Sequence, residues 1–408
     1  MRGVSDLVNC CMGENQKEQD DYLNDYASLI NKENKSIIFK TMQDNFYKYS
    51  RYLIKNRISP NIDDGLFSIQ RQILWVLLEQ YDGIFHKATN VIGGTMGYIP
   101  RGDGSIGNQL YQLIDKRLLI DTDREDRTPR YLGCKLSSLA KETLFNNDIT
   151  QFGKSYLYEK KMPITLPSKL PILLLQGTDG SGLRFHTQIF SHNFEEVLNA
   201  QISILRNQSY EIYPDFISGG IIDVRKYKRG KGSISIKAKI DIEDDKLIIK
   251  ELPHGISENS LIDSIENAIN RSNLNIKSIN NYSTKNIDIV IENNDTEKPE
   301  LFREKLYKYT DCEIVVHSSI NVLCDNKTIS PTVNELLEYN TKKLVEYLDK
   351  ELTIEIEALE KDASNNSKEL LIAKTNQLNI NEYAISYIEK LLFKYKDNFT
   401  RKSKIENL

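Results

Sequence analysis

The chain has 408 residues, of which 39% are hydrophobic and 27% charged, and a formal net charge of −4 at pH 7; these values predict a folded protein of about two to four domains. No apolar stretch approaches the ~20 residues of a membrane span, and the N-terminus lacks the apolar core of a signal peptide, so we expect a cytoplasmic protein. The five cysteines are odd in number and include no CxxC pair, which favours reduced thiols over disulfides or a zinc site.

Positive charge is concentrated in two parts of the chain. Residues 1–39 carry four basic and seven acidic side chains, whereas residues 40–170 carry nineteen basic and fourteen acidic ones. A further five cations lie in residues 225–231, in a predicted loop. Because phosphate contact requires local rather than total positive charge, both segments are candidates for binding nucleic acid. An ordinary solvated surface is the alternative for residues 225–231.

The sequence of residues 1–115 predicts an extension followed by helices. Residues 1–40 are acidic and polar, with a partly helical segment near Tyr22 to Ile30. Apolar residues recur at helical spacing over residues 66–80 and, after a glycine-containing loop, over residues 102–115. Two helices around such a turn are typical of a helix-turn-helix, whose second helix can enter the major groove of DNA.

The second part predicts an α/β region and then long helices. Residues 233–240 and 286–291 alternate between apolar and polar, which predicts strands with one solvated face, and an amphipathic helix over residues 261–269 lies between them. From Pro331 to Ala363, leucine and isoleucine recur every three, four or seven residues. That spacing is typical of a coiled-coil arm or of a single amphipathic helix on a core. Residues 367–396 are predicted to be helical again.

A series of short motifs runs from Arg57 to Asn193. In chain order the motifs are Arg57-Ile58-Ser59-Pro60, Asp64-Gly65-Leu66, Ile69-Gln70-Arg71, Ile99-Pro100-Arg101-Gly102-Asp103, Arg130-Tyr131, Leu166-Pro167-Ser168-Lys169-Leu170-Pro171 and His192-Asn193. In this order and at these spacings, the series resembles the DNA breakage-reunion subunit of bacterial type IIA topoisomerases, which in gyrase and topoisomerase IV is the A subunit.

The resemblance implies a multidomain α+β fold. We expect an N-terminal extension (1–40), a winged-helix breakage-reunion domain (41–170), an α/β tower domain (171–330), and a coiled-coil arm with a partial helical dimer gate (331–408). No repeat of the kind that forms the DNA-wrapping β-pinwheel of gyrase follows in the sequence, so we expect a relative similar to topoisomerase IV and lacking that domain.

The resemblance also assigns candidate site residues. Tyr131 matches the nucleophile that cuts DNA through a phosphotyrosyl link, a covalent strategy that divides one difficult step into two. Arg130 and Arg57 match catalytic partners, since a guanidinium stays protonated and binds phosphate oxygens through two donors. The residues matched to DNA contacts are Arg71, Arg101, Lys169 and Ser181.

Several positions depart from the family pattern. Ile99 and Arg101 replace two histidines, and isoleucine cannot donate a hydrogen bond to the scissile phosphate, although Arg101 adds charge. The glycine-containing loop before Tyr131 is shortened. Ser181 replaces the isoleucine that wedges between base pairs, a role for which serine is poorly suited; a one- or two-residue slip would give that role to Leu183.

Three functions therefore remain open, of which the third is an unrelated DNA-binding protein with a winged helix and a coiled coil. The first is the DNA-cleaving and rejoining subunit of an ATP-dependent topoisomerase, a nucleoid-associated homodimer that binds double-stranded DNA in an A2B2 heterotetramer. A B subunit would hydrolyse ATP and hold Mg²⁺, since the chain shows no metal site and no Gly-x4-Gly-Lys-Ser/Thr loop. The second is a catalytically decayed paralogue that binds DNA or the B subunit without cutting.

Overall fold

The computed structural model describes residues 37–124, 128–155, 160–182, 185–243, 246–271, 274–283, 286–293, 298–361 and 379–406. The predicted N-terminal helix near Tyr22, the alternative wedge Leu183 and the first part of the predicted helix 367–396 lie outside these ranges. The described helices, in chain order, are α1 Ile37–Leu53, α2 Ser68–Glu79, α3 Ala88–Met96, α4 Asp103–Asp115, α5 Ser138–Leu144, α6 Ile172–Gln176, α7 Phe194–Leu205, α8 Glu258–Asn270, α9 Pro299–Tyr309, α10 Val333–Lys361 and α11 Ile380–Tyr395.

The strands are short and belong to several separate sheets. In chain order they are β1 His86–Lys87, β2 Ile120–Thr122, β3 Gly133–Leu136, β4 Phe152–Lys154, β5 Lys161–Pro163, β6 Thr178–Gly182, β7 Phe185–Ile189, β8 Ile221–Asp223, β9 Ser233–Lys237, β10 Lys239–Glu243, β11 Lys246–Glu251, β12 Ile276–Asn281, β13 Ile289–Asn293, β14 Glu313–His317, β15 Val322–Cys324, β16 Lys327–Ile329 and β17 Lys404–Glu406. No helix in the described ranges combines the length and the apolar character needed to cross a membrane.

The chain forms two compact units. Unit 1 contains the described residues up to Ile189, Phe194–Glu211 and Ser319–Asn398, and unit 2 contains Phe190–Asn193, Ile212–Ser318 and the described residues from Phe399. The units divide the chain near residues 190 and 318, whereas the sequence-based boundaries at residues 170 and 330 stay predictions.

Unit 1 contains the two predicted helices, which β1 and α3 separate in the chain, and a small sheet. Helices α2 and α4 confirm the periodicity seen over residues 66–80 and 102–115. Helices α2 and α3 approach closely because Gly94 has no side chain: a Cβ there would lie 2.8 Å from Val76 Cγ1. Strands β1, β3 and β2 form an antiparallel sheet in that order.

The long helix α10 is confirmed, and most of it packs on a core. Leu337, Leu344 and Leu348 are buried, and α10 packs against both α7 and α11. Polar contacts join the same helices, including Gln201 Nε2 donating to Asn340 Oδ1 at 3.0 Å. Over this stretch the leucine spacing therefore reflects a single amphipathic helix on a core, and a coiled-coil arm is not confirmed.

Unit 2 contains two four-stranded sheets. The first, ordered β10–β11–β13–β12, is antiparallel and packs its apolar face on α8 and α9. The second has the order β14–β9–β8–β17, with β17 parallel to β8.

The prediction of one continuous strand over residues 233–240 is wrong. The chain leaves β9 of one sheet and enters β10 of the other at Ala238, whose amide donates to the Cys312 carbonyl at 2.7 Å. The alternating pattern continues through this position, so the pattern did not reveal the break. The predicted helix over residues 261–269 is confirmed as α8.

A buried carboxylate links distant parts of unit 1. Asp64 is 1% exposed, and its two oxygens accept from Arg71 Nε at 2.5 Å and Arg71 Nη2 at 3.0 Å. The same carboxylate accepts from the backbone amides of Leu66 at 3.1 Å and Leu166 at 3.0 Å. Arg71 is itself buried, so this ion pair fixes the start of α2 to the segment that precedes α6.

We predict that Asp64→Asn lowers the free energy of unfolding by ~3 kcal/mol, because removing one partner leaves the buried guanidinium unpaired. Urea denaturation followed by the fluorescence of Trp75, the single tryptophan of the chain, measures the change. Asp44→Asn, at an exposed position of α1, is the control and should alter stability by less than about 0.5 kcal/mol. Equal losses in the two variants would contradict the role of Asp64.

Candidate active site

Tyr131 lies in a turn, two residues before the anchored strand β3. The residues that follow it, Leu132 and Cys134, are buried, and the Leu132 carbonyl accepts from the Ala88 amide at 2.9 Å at the start of α3. Strand β3 is the central strand of its sheet, paired with β1 on one side and β2 on the other. The segment that directly follows Tyr131 is therefore held from three directions.

The Tyr131 side chain itself points away from this support. It is 60% exposed, and its amide donates to the Thr128 carbonyl at 2.9 Å within a turn. Arg130 is also exposed. Within the described ranges, no hydrogen bond or ion pair engages either side chain, so both are available to a ligand.

A hydrogen bond between Asp123 and Gly133 closes the segment that contains Tyr131. Asp123 Oδ1 accepts from the Gly133 amide at 2.8 Å, and this bond, helped by Arg124, holds the pKa of Asp123 below its usual value. A Cβ on Gly133 would lie 2.8 Å from the Asp123 carboxyl and 3.0 Å from Phe85 Cβ. Sequence reasoning gave neither residue a role, although a glycine inside a strand often marks such a close approach.

Arg57 lies in a single turn of π-helix, Ile54–Ile58, that continues α1. Ile54 and Ile58 are buried and Arg57 is exposed. Such turns are uncommon and occur frequently at functional sites. The hairpin β6–β7 packs against this turn so closely that a Cβ on Gly180 would lie 2.4 Å from the Ile58 carbonyl oxygen.

Arg101 is close enough to Arg57 in the folded protein for the two charges to repel each other. Its guanidinium donates to the Asn56 carbonyl at 3.5 Å and is half-buried. Burial lowers the pKa of Arg101, and repulsion from the Arg57 charge lowers it further, while Tyr52 opposes both effects. The two like charges would both be stabilised by an anion such as phosphate.

Ser181 lies on the exposed side of β6, opposite His186 of β7. A Cβ added at its neighbours Gly180 or Gly182 would instead meet Ile58, on the other side of the strand. The structure thus presents Ser181 to solvent on the hairpin that packs against the turn carrying Arg57.

Arg71 and Lys169, predicted to contact DNA, are buried in ion pairs. Arg71 pairs with Asp64, and Lys169 Nζ lies 2.8 Å from Glu351 Oε1 of α10. Asn146 donates to the same glutamate oxygen at 2.9 Å. Both cations therefore link segments of unit 1 in this structure, and their contact with DNA stays a prediction.

The remaining matched motif, His192-Asn193, is also buried. His192 Nε2 lies 3.0 Å from the Tyr227 hydroxyl, and the Asn193 amide donates to Asp215 at 3.3 Å. Both contacts lie inside unit 2. The described part of the chain contains no group of three or more His, Cys, Asp or Glu residues that could hold a metal ion.

We predict that Gly133→Ala destabilises the protein by about 1–3 kcal/mol, the usual cost of overpacking, because the Asp123 carboxylate must move away and lose its hydrogen bond. Hydrogen exchange at the Leu132 and Gly133 amides should accelerate. The control is Gly93→Ala on the exposed face of α3, where an added Cβ meets nothing within 4 Å; it should stabilise by up to about 1 kcal/mol. Unchanged exchange at residues 132–133 would show that the hydrogen bond between Asp123 and Gly133 does not hold the segment that contains Tyr131.

Comparison with known proteins identifies the family. Residues 57–406 match the family described as the A subunit of DNA gyrase/topoisomerase IV. The A subunit of DNA topoisomerase 4 from Borreliella burgdorferi is 35% identical over 386 residues, which cover 90% of this chain and 62% of the relative. The DNA gyrase A subunit of Lawsonia intracellularis is 28% identical over 340 residues, 74% of this chain and 42% of the relative. The A subunit of DNA topoisomerase 4 from Staphylococcus epidermidis is 27% identical over 358 residues, 78% of this chain and 44% of the relative.

The chain thus spans about two fifths to three fifths of the length of these relatives. The match includes Arg57, the Arg130-Tyr131 pair and all of unit 2 as far as residue 406. The resemblance drawn from the motifs is confirmed, and the chain belongs to the family of DNA gyrase and topoisomerase IV A subunits.

Proposed function

We propose that the chain is the DNA-cleaving and rejoining subunit of a type IIA topoisomerase, with Tyr131 as the nucleophile. The phenol oxygen attacks a backbone phosphorus, a phosphotyrosyl bond forms, and one deoxyribose oxygen leaves and takes up a proton. The reverse attack by that hydroxyl releases Tyr131 and reseals the strand. The observation that carries the proposal is the exposed tyrosine in a turn two residues before the anchored strand β3, next to an exposed arginine.

The arginines supply the positive charge that this chemistry needs. The Tyr131 phenol, with a reference pKa of about 10, is a weak nucleophile unless cations stabilise its anion or the phosphate. We assign that role to Arg130, which is adjacent in sequence, and to the anion site formed by Arg57 and Arg101. Arg71 and Lys169 could contact phosphate only after release from Asp64 and Glu351.

The element order supports a winged-helix assignment for the region around Tyr131. The chain order α2, β1, α3, α4, β2 and β3, in which the three strands form one sheet, suits that domain, and α4 is the candidate recognition helix. We assign the tower to the α/β region of unit 2 and the arm to α10 and α11. Two copies would associate so that each cuts one strand.

Metal and ATP would come from a partner. A divalent cation would neutralise developing charge on the phosphate oxygens, and we propose that an ATP-hydrolysing B subunit holds it in an A2B2 assembly on cytoplasmic, nucleoid-associated DNA. The residues of this chain would then bind the phosphate through Arg57, Arg101 and Arg130 and hold Tyr131 in position.

The alternative is a decayed paralogue that binds DNA or the B subunit without cutting. It is favoured by Ile99, which cannot donate a hydrogen bond, and by the polar, exposed Ser181 on β6. Covalent attachment to DNA distinguishes the two functions.

We predict that the chain, reconstituted with its B subunit, ATP and Mg²⁺, relaxes supercoiled plasmid and that Tyr131→Phe abolishes relaxation, because phenylalanine lacks the attacking oxygen. Denaturation during turnover should trap wild-type protein on DNA and leave the variant free. Tyr282→Phe, which alters an equally exposed tyrosine of unit 2, should relax plasmid normally. A wild-type protein that binds DNA but never attaches to it would establish the decayed paralogue instead.

A second prediction concerns DNA bending. Unstacking a base-pair step costs a few kcal/mol, which apolar insertion helps to offset. Ser181→Ile should therefore increase the bend of a bound duplex, measured by fluorescence energy transfer between its ends. Ser181→Ala, which adds little apolar surface, is the matched control and should leave the bend unchanged. An equal bend in all three proteins would mean that another residue already acts as the wedge.

A further inference from the structure

Arg101 is a half-buried cation that no carboxylate neutralises within the described ranges. It lies two residues before α4. Burial lowers the pKa of Arg101, and the nearby charge of Arg57 lowers it as well. No described Asp or Glu forms an ion pair with its guanidinium. A partly desolvated charge is costly unless neighbouring dipoles stabilise it, so the groups that hold this guanidinium are neutral ones.

A proline provides the first of these neutral partners. In the α-helical pattern the Asn56 carbonyl would accept from the amide of residue 60, but that residue is Pro60, which has no N–H. The next amide along the chain, that of Asn61, donates instead to the Leu66 carbonyl at 3.1 Å. The Asn56 carbonyl accepts from Arg101 Nη2 at 3.5 Å. The end of the π-helical turn thus has an acceptor left over, and Arg101 satisfies it.

Tyr52, near the end of α1, is the second neutral partner. Its side chain forms a hydrogen bond with the Arg101 guanidinium, and this bond raises the pKa of Arg101 against the effect of burial. A guanidinium has no acceptor atom, so the phenol oxygen accepts. The two partners are also linked to each other, because Asn56 Nδ2 donates to the Tyr52 carbonyl at 2.9 Å. One turn of helix therefore presents two oxygens to the same guanidinium.

These two partners orient the charge of Arg101 without cancelling it. The charges of Arg71 and Lys169 are satisfied by the carboxylates of Asp64 and Glu351, which a phosphate would first have to displace. A phenol and a carbonyl carry no net charge, and the guanidinium has more N–H donors than these two acceptors use. Arg101 can therefore bind an anion while it keeps both partners, and an arginine already held in one orientation loses less entropy when it does so.

We propose that Tyr52 is a positioning residue of the anion site: its hydroxyl holds Arg101 so that the remaining donors of the guanidinium bind a DNA phosphate beside Arg57. The inference rests on the proposed function in taking DNA as the substrate. Tyr52 is 45% exposed, so burial of its ring explains little of its presence on α1. The contact of its hydroxyl with Arg101 gives this tyrosine a role that phenylalanine cannot fill.

The test is a double-mutant cycle on the affinity of the full chain for a fluorescently labelled duplex, measured by anisotropy. Tyr52→Phe should weaken binding about two- to tenfold, the usual contribution of one hydrogen bond, and Arg101→Gln should weaken it more. In the Arg101→Gln background, Tyr52→Phe should have no further effect, because Tyr52 acts through Arg101. An equal loss in both backgrounds, or no loss in the otherwise wild-type chain, would overturn the proposal.

The matched control is Tyr49→Phe, which removes the hydroxyl of another exposed tyrosine of α1 and should leave the affinity unchanged. Tyr52→Phe should keep the Tm close to that of the wild type, since it alters a partly exposed position. A lower Tm together with the same loss of affinity in both Arg101 backgrounds would show that Tyr52 only supports the fold.

A spectroscopic measurement without DNA tests the contact directly. In nitrogen-15 spectra of the arginine side chains, the Arg101 signal is the one that disappears in Arg101→Gln. Rotation about its Nε–Cζ bond should be slower than that of the exposed Arg57 and should accelerate in Tyr52→Phe. An unchanged rotation rate in that variant would show that the hydroxyl does not hold the guanidinium and would overturn the proposal.

The cycle does not require cleavage, so its failure is distinct from failure of the proposed function. A wild-type chain that shows coupling between Tyr52 and Arg101 but never attaches to DNA would support the role of Tyr52 and contradict the cleavage function. A chain that attaches through Tyr131 but shows no coupling would overturn the role of Tyr52 alone.

Discussion

The buried carboxylate of Asp64 is the interaction on which the arrangement of unit 1 depends. It binds Arg71 at the start of the long buried helix α2 and the amide of Leu166, a hundred residues later in the chain. Three residues beyond Leu166, Lys169 pairs with Glu351 of α10. The two ion pairs thus connect α2, the segment before α6 and α10. A buried pair of this kind tolerates the loss of neither partner, because the remaining charge has no water to stabilise it.

The basic residues of the matched motifs consequently fall into two groups. Arg71 and Lys169 have their charge satisfied by carboxylates inside the protein, whereas Arg57, Arg130 and the cations of residues 226–231 face solvent without such partners in the described residues. Arg101 belongs to neither group. Its guanidinium is half-buried, and burial and repulsion from the Arg57 charge both lower its pKa. Only unsatisfied cations gain fully from a phosphate, since a cation already in an ion pair must first give up that partner. In this chain, the matched motifs therefore contain fewer unpaired cations than basic residues.

Tyr131 and the loop of residues 226–231, between β8 and β9, are supported in the same way. In each, apolar or aromatic groups immediately next to the exposed side chains are buried, namely Leu132 and Cys134 beside the tyrosine and Tyr227 inside the loop. Each also has a glycine where a side chain would collide with its surroundings, Gly133 in β3 and Gly232 after the loop. The reactive or charged groups can then project into solvent while their backbone stays fixed, which reduces the entropy lost when a ligand binds.

The sequence by itself determined the family and much of the secondary structure. The ordered motifs from Arg57 to Asn193 identified the gyrase and topoisomerase IV family, and helical periodicity located α2, α4, α8 and α10, because those patterns depend on residues close together in the chain. Alternation could not show that the chain changes sheets at Ala238, since both strands place apolar residues inward. Nor could motifs show that Arg71 and Lys169 are buried, that Asp123 binds Gly133, or that Arg101 donates to the Asn56 carbonyl. Each of these facts depends on a partner brought near only by folding, and only the tertiary structure decided them.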